Sequence, residues 1–239
     1  MEPRSRRAQR RREQSGGPPA GKSPAGKSPP AGPPADRSPP GGPHGKGAAT
    51  RRAILHAAIA RFGREGYRST SVTDIARDAS VGGSVAYAYF PNKEGLFFAA
   101  VDEDAAGLIG EALASALGTP DSRDWPRAIM FTALAALDRH PLARRILGGL
   151  EPEVTSRVLE MPSLTDLRKV CADRLRADQL DGIVRPDIDP FVVANGIVTI
   201  MLSLLMSLVQ LGEETATAYG DDVAAVFDAA VAPVADLHD

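Results

Sequence analysis

Beyond about residue 48, apolar side chains recur at helical spacing almost to the end of the chain. Leu55, Ala58, Ile59 and Phe62 fall at i, i+3, i+4 and i+7, the mark of one helical face, and the run stops near Gly66. Short patterns follow at 71–79 and from about 83 to 90. Longer ones run roughly 93–117, 124–139, 141–148, 152–160, 163–181, 190–211 and 219–232. Start signals accompany several: Asp124 ahead of Trp125-Pro126, Ser163 with Asp166 three residues on, and Asp189 ahead of Pro190. No alternating pattern of useful length points to a strand, so the expected class is all-α.

Residues 1–46 break this pattern. They are rich in Pro, Gly, Ser, Ala and Arg and contain no Val, Ile, Leu or Phe, so nothing offsets the entropy of ordering them. A disordered basic tail is expected. Within it, residues 16–28, GGPPAGKSPAGKS, fit the phosphate-loop spacing G-x-x-x-x-G-K-S twice. A phosphate loop needs a buried strand before the glycines and a helix after the Lys-Ser. Here no apolar strand precedes, and Pro18, Pro19, Pro24 and Pro29 lie within or directly after the pattern. The match is compositional, and no nucleotide or other cofactor is expected.

Charge is balanced overall at a net −2 but unevenly placed. Residues 1–46 hold ten basic and three acidic side chains, 47–95 seven and four, and 96–239 eleven and twenty-three. A basic amino-terminal third suits a polyanionic partner. The Arg-rich tail either adds nonspecific, salt-sensitive affinity or has no role. The single Cys171 excludes an internal disulfide, fits a reducing, cytoplasmic setting, and is expected to pack within a helix. No apolar stretch follows the basic amino terminus, so no secretory signal is expected.

The informative segment is 71–90, SVTDIARDASVGGSVAYAYF. Ser71 is placed to cap a helix with Asp74 in the reciprocal position, and Val72, Ile75 and Ala76 form its buried face. Ser80-Val81-Gly82 breaks that helix, and a second begins at Gly82 or Gly83. Two short helices joined by so tight a turn form a helix-turn-helix, which lays its second helix in the major groove of double-stranded DNA. Val81, Ala86 and Phe90 read as core. Tyr87 and Tyr89 read as phosphate ligands, because the helix is too short to bury both; Lys93 and the cap hydroxyls suit the same task.

The run TSVTDIARDASVGGSVAYAYFPNKEGLFFAAV, preceded by ILHAAIARFGREGY, resembles the DNA-binding domain of TetR-family transcriptional regulators. Phe62, Gly66-Tyr67, Tyr87-Ala88-Tyr89-Phe90 and Lys93-Glu94 carry the resemblance over about fifty residues. It implies a three-helix DNA-binding domain over 47–107 and a helical-bundle effector-binding and dimerisation domain over 108–239. It also implies a homodimer on a palindromic operator, a small-molecule effector, and most often repression. The DNA-contacting set it suggests is Ser71, Thr73, Gly83, Ser84, Val85, Tyr87, Ala88, Tyr89 and Lys93.

The departures are informative. Ser80 stands where the family commonly has Gly, a strained choice if that position is left-handed. Gly83, Ser84-Val85 and Ala88 leave the reading helix poor in hydrogen-bonding side chains. Base readout is then expected from Val85 and Ala88 against thymine methyls and from Ser84, with DNA shape supplying much of the rest.

Residues 190–211 carry no charge and are long enough to span a bilayer. Against that, Asn195, Thr199, Ser203 and Ser207 make a polar stripe near Gln210, and both flanks are acidic. A dimer helix is expected instead, paired with 219–232 or 163–181, and no membrane partner. For the effector pocket, Trp125, Ile129, Phe131, Leu134 and Leu137 are either lining or plain core. His140, Arg144 and Arg145 are either polar anchors or solvated surface. Two other classes compete. An enzyme is disfavoured because the four histidines are scattered and no nucleophile–base or metal spacing stands out. A helical ligand-binding or membrane-associated protein with a degenerate helix-turn-helix is made conceivable by Gly83 and Ala88.

Overall fold

The computed structural model describes residues 43–116, 125–152 and 157–232. Residues 1–42 of the basic tail with its phosphate-loop-like repeat, Asp124, and residues 153–156 of the helix expected at 152–160 lie outside the described residues, whereas residues 43–46, expected in the disordered tail, instead open the first helix. Among the described residues there is no strand. The helices bounded within the described residues are α1 (Pro43–Ser69), α2 (Val72–Asp78), α3 (Gly83–Tyr89), α4 (Lys93–Ala116), α5 (Trp125–Ala136), α6 (Pro141–Leu147), α7 (Pro162–Leu180), α8 (Pro190–Leu211) and α9 (Glu213–Val231). A 3-10 turn, Leu137–Arg139, joins α5 to α6.

Helix α1 starts at Pro43, earlier than its apolar pattern, and is broken where the sequence places its stop. Gly66 has φ 82° and ψ 169°, a conformation that a residue with a Cβ rarely adopts. The chain then makes one more turn before α2.

Two apolar cores fill the molecule. The first joins Leu55, Ala58 and Phe62 of α1 to Ile75 of α2, Ala86 of α3, and Leu96 and Phe97 of α4. Its rings interlock: Phe97 meets Phe62 edge-on at 4.9 Å and Tyr67 at 4.9 Å. The second gathers Leu108 and Ala112 of α4 with α5, α7 and α8, and includes the buried Cys171, whose thiol burial pushes up to about 12. Helices α4 and α6 belong to both. Leu142 and Ile146 of α6 face the first core, and Ala143 and Leu147 face the second.

A buried polar bridge fastens these two shared helices. Helix α6 has no side-chain cap of its own. Instead Asp104 of α4, 5% exposed, accepts from the backbone N–H groups of Leu142 (2.9 Å) and Ala143 (2.8 Å) through Oδ2. Its Oδ1 lies 3.1 Å from His140 Nδ1, and His140 Nε2 lies 3.3 Å from Glu111 Oε1. Gly107 makes room for the ring, since a Cβ there would sit 2.8 Å from His140 Cε1. Arg139 in turn holds Glu111, and that guanidinium keeps the Glu111 carboxyl below the usual carboxylate range.

Two cap readings can be compared with the structure. Asp189 caps α8 as expected, accepting from Phe191 N (2.8 Å) and Val192 N (3.2 Å). Ser163 does not cap α7. That helix starts at Pro162, the Ser163 hydroxyl is buried without a partner among the described residues, and its N–H donates to Asp102 Oδ1 at 3.0 Å. A carboxylate from α4 does the work that the local Ser-x-x-Asp pattern seemed to offer.

Candidate DNA-binding face and ligand cavity

Helix α2 is capped as its sequence requires. Ser71 Oγ accepts from Asp74 N at 3.1 Å, and its hydroxyl donates to Asp74 Oδ2 at 2.6 Å. That hydroxyl, backed by Arg77, holds the Asp74 carboxyl below its ordinary range. At the other end Asp78 is gripped by Arg61 of α1 through two bonds, 2.6 and 3.1 Å, which likewise lowers its carboxyl. Both acids of α2 are thus matched by guanidinium groups, which limits their repulsion of an approaching phosphate.

The turn between α2 and α3 closes by two backbone bonds, Ser80 N to Arg77 O (3.0 Å) and Val81 N to Ala76 O (2.9 Å). This is a Schellman closure with Ser80 at the left-handed position, φ 57°, the one non-glycine with positive φ among the described residues. Gly82 then precedes α3 with no side-chain cap, so the first N–H groups of α3 remain available.

Helix α3 is anchored by Ala86, fully buried, and by Phe90 just beyond it, whose ring lies 5.3 Å beneath the Arg51 guanidinium. Ser84, Val85, Tyr87 and Ala88 are exposed, Val85 at 39% and Tyr87 at 49%, and on α2 Ser71 and Thr73 are exposed beside them in sequence order. Six of the nine residues expected at the DNA therefore lie on the open surface of two packed helices. Gly83, Tyr89 and Lys93 are half-buried. Tyr89 packs on the first core, with its hydroxyl close to Gly47 of α1. Lys93 sits 4.4 Å over the Tyr67 ring and donates to Arg68 O at 3.4 Å, so it also fastens α4 to the end of α1. Nothing crowds Gly83: a Cβ there would meet no atom within 4 Å. Its lack of a side chain is not imposed by packing.

Deeper in the molecule lies a cavity of about 100 Å³. Helix α4 supplies Val101, Ala105 and Leu108; α5 supplies Ile129 and Met130; α6, α7 and α8 close the other sides. Of the five residues suggested by sequence, only Ile129 lines it. Trp125 and Leu137 are core, Leu134 packs half-buried against that core, and Phe131 is 64% exposed. His140, Arg144 and Arg145 do not line it either. His140 is held by Asp104 and Glu111, Arg144 by Asp138, and Arg145 by Glu151. Sequence could not reveal this, because the partners of these groups are chosen by tertiary packing.

Helix α8 buries one stripe, Ala194, Ile197, Val198, Met201 and Leu205, and leaves Phe191, Val192 and Ile200 exposed. With mean hydropathy 2.2 it is long and apolar enough to cross a membrane by length and composition. Its polar stripe satisfies itself: Thr199, Ser203 and Ser207 each donate to the carbonyl four residues back, at 2.8, 2.9 and 3.0 Å. Such hydroxyls need no water and can be covered by another helix.

The geometry thus defines a helix-turn-helix head joined through α4 and α6 to a helical body with an apolar cavity. Residues 54–100 match the sequence model of bacterial regulatory proteins of the tetR family. It is 28% identical over 176 residues, 70% of this chain and 86% of the relative, to the HTH-type transcriptional repressor Rv1474c of Mycobacterium tuberculosis. In fold it is similar to a TetR-family regulator from Mesorhizobium loti, TM-score 0.61 at 20% identity, covering 78% of this chain and 98% of that one. Another, from a Rhodococcus species, gives TM-score 0.58 at 20% identity, covering 74% and 98%.

Proposed function

We propose that this protein is a cytoplasmic, ligand-responsive transcriptional repressor that acts as a homodimer on a palindromic operator, without enzymatic activity. The observation that carries the reading is the exposed face of α3. Ser84, Val85, Tyr87 and Ala88 stand clear of a head whose inner faces of α2 and α3, Val72, Ile75, Ala76 and Ala86, are consumed by packing. The residues 47–107 form the DNA-binding unit in this reading, and 108–239 the effector-binding and dimerisation unit.

One seven-residue reading helix offers little discrimination, whereas two spaced one helical turn of DNA apart, about 34–36 Å, read a palindrome. The exposed apolar side chains of α8 suit the required dimer seam, continued by Val226 of α9 or by Val170 and Leu180 of α7. The same seam favours a second subunit over a bilayer as the cover for α8, because its hydroxyl stripe and acidic flanks fit a helix bundle better than a membrane anchor. Serine and valine at the reading positions support modest base discrimination through thymine methyls, with Tyr87 on the backbone.

Selection of bound sites from a random DNA pool tests this directly. The expected product is an inverted repeat with A·T-rich half-sites, and Val85→Ala should shift the base preferred at one position in each half. Recovery of no enriched repeat would remove the dimeric-repressor reading; an unaltered preference in the variant would remove Val85 from the readout.

A further inference from the structure

The cavity's walls select its occupant. We infer that it takes an uncharged, slender molecule with a saturated hydrocarbon body, of the alkyl-chain kind, and turns away ligands that carry a carboxylate or phosphate into it. The regulatory meaning of such binding rests on the repressor reading above; the binding itself does not.

Composition comes first. Every lining residue is Ala, Val, Leu, Ile or Met. No hydroxyl, amide, charge or aromatic face is available to orient a polar group or to stack on a flat ring. The ionic groups of α6 and its flanks are committed to one another: both nitrogens of His140 face Asp104 and Glu111, and Arg145 is held by Glu151 at 2.7 Å. A carboxylate carried into these walls would lose its hydration and gain no partner. Apolar cavities of comparable size stay dry and accept hydrocarbon guests.

Shape narrows the class further. On α4 the lining runs from Val101 to Ala112, about three turns or roughly 16 Å at 1.5 Å per residue. A lining that follows α4 for that length and is aliphatic throughout suits an extended chain. Met130, Met161 and Met201 stand on three sides, and their unbranched thioethers can shift to fit chains of different length.

The test compares two probes of equal chain length, 1-decanol and decanoate, by calorimetric titration and thermal melting of the full chain at pH 7.5. Decanol should raise the melting temperature with concentration and bind at least tenfold more tightly than decanoate. The ceiling is near a thousandfold, because the acid must take up a proton about three pH units above its ordinary range to enter as a neutral molecule. Ala133→Leu and Ala105→Ile, which add bulk at two separate walls, should each abolish the decanol response while keeping the parent's helical circular dichroism. Equal or tighter binding of decanoate, no response to decanol, or undiminished decanol binding in both folded variants would overturn the inference. The comparison on the unaltered chain decides the matter even if a variant fails to fold. Titration of the selected operator separates the two readings. DNA binding without decanol binding sinks the ligand class alone, and decanol binding without DNA binding sinks the repressor alone.

Discussion

In the DNA-binding head the interior is closed by rings: Phe62, Tyr67, Phe97 and Phe98 contact one another in sequence, and Arg157 and Lys93 lie over two of them. In the carboxy-terminal body the interior is mostly aliphatic, with Trp125 its one buried apolar ring among the described residues, and it borders a slot lined by Ala, Val, Leu, Ile and Met alone. The head is thus closely packed around its rings, whereas the body borders a slot. Helices α4 and α6 connect the two. At their junction the packing becomes tight again: a Cβ on Gly63 of α1 would approach Pro141 Cβ to 2.8 Å. Glu151 there accepts from Tyr67 N at 3.0 Å and from Arg145 Nε at 2.7 Å. Any change that a guest imposes on α4 or α6 therefore reaches the head through contacts with little slack. It alters DNA affinity only as far as the guest favours one arrangement over the other.

The largest expected difference between the two regions lies in cavity creation. Phe62→Ala removes a fully buried ring from a tight cluster and should cost about 4 kcal/mol, read from urea melts of the full chain. Met201→Ala only enlarges an existing slot and should cost about 2 kcal/mol, since its surroundings already lack contacts on one side. Equal costs would break the contrast, because they would mean that the body is packed as densely as the head.

A second expectation concerns the junction. Asp104→Ala leaves two N–H groups of α6 and the His140 ring without their acceptor inside the protein, and should cost about 3 kcal/mol. Asp104→Asn keeps one carbonyl oxygen for the α6 amides and should recover about half of that loss. If the two variants melt alike, the carboxylate is not the feature that holds α6 to α4. The double-mutant cycle with His140→Ala then assigns what remains to the imidazole.

The head was legible in sequence because its signals are local. Ser71 and Asp74 are three residues apart, Gly66 stops α1 by its own backbone, and the break at Ser80 lies between two short apolar patterns. The body was legible in the positions of its described helices but not in its site. Asp104 and His140 are separated by 36 positions, and Asp102 caps α7 from 61 positions away. No window along the chain contains such pairs. The same holds for Ile129 and Phe131, two residues apart on α5, of which one lines the cavity and the other is exposed. Helical spacing names a face, but only the neighbouring helices decide whether that face meets core, void or solvent.

Ser80 gives the smallest effect and the most local one. Its φ of 57° is available to glycine without penalty, whereas a side chain there strains against the following carbonyl. The two Schellman bonds and the packing of Val81 on the first core hold it there regardless. Ser80→Gly should therefore stabilise the chain by about 0.5–1 kcal/mol, because relief of the left-handed strain outweighs the added freedom of glycine in the unfolded chain. Ser80→Ala separates the possible causes: it keeps the Cβ and should gain nothing, unless the serine hydroxyl itself supports the turn, in which case it loses stability. The stabilised Ser80→Gly protein should also bind the selected operator with unchanged sequence preference, since the residue sits in the turn and not on the face of α3. A shift in preference would instead show that the strained turn sets the angle at which the reading helix is presented, and would move part of the head's specificity from its side chains to its backbone.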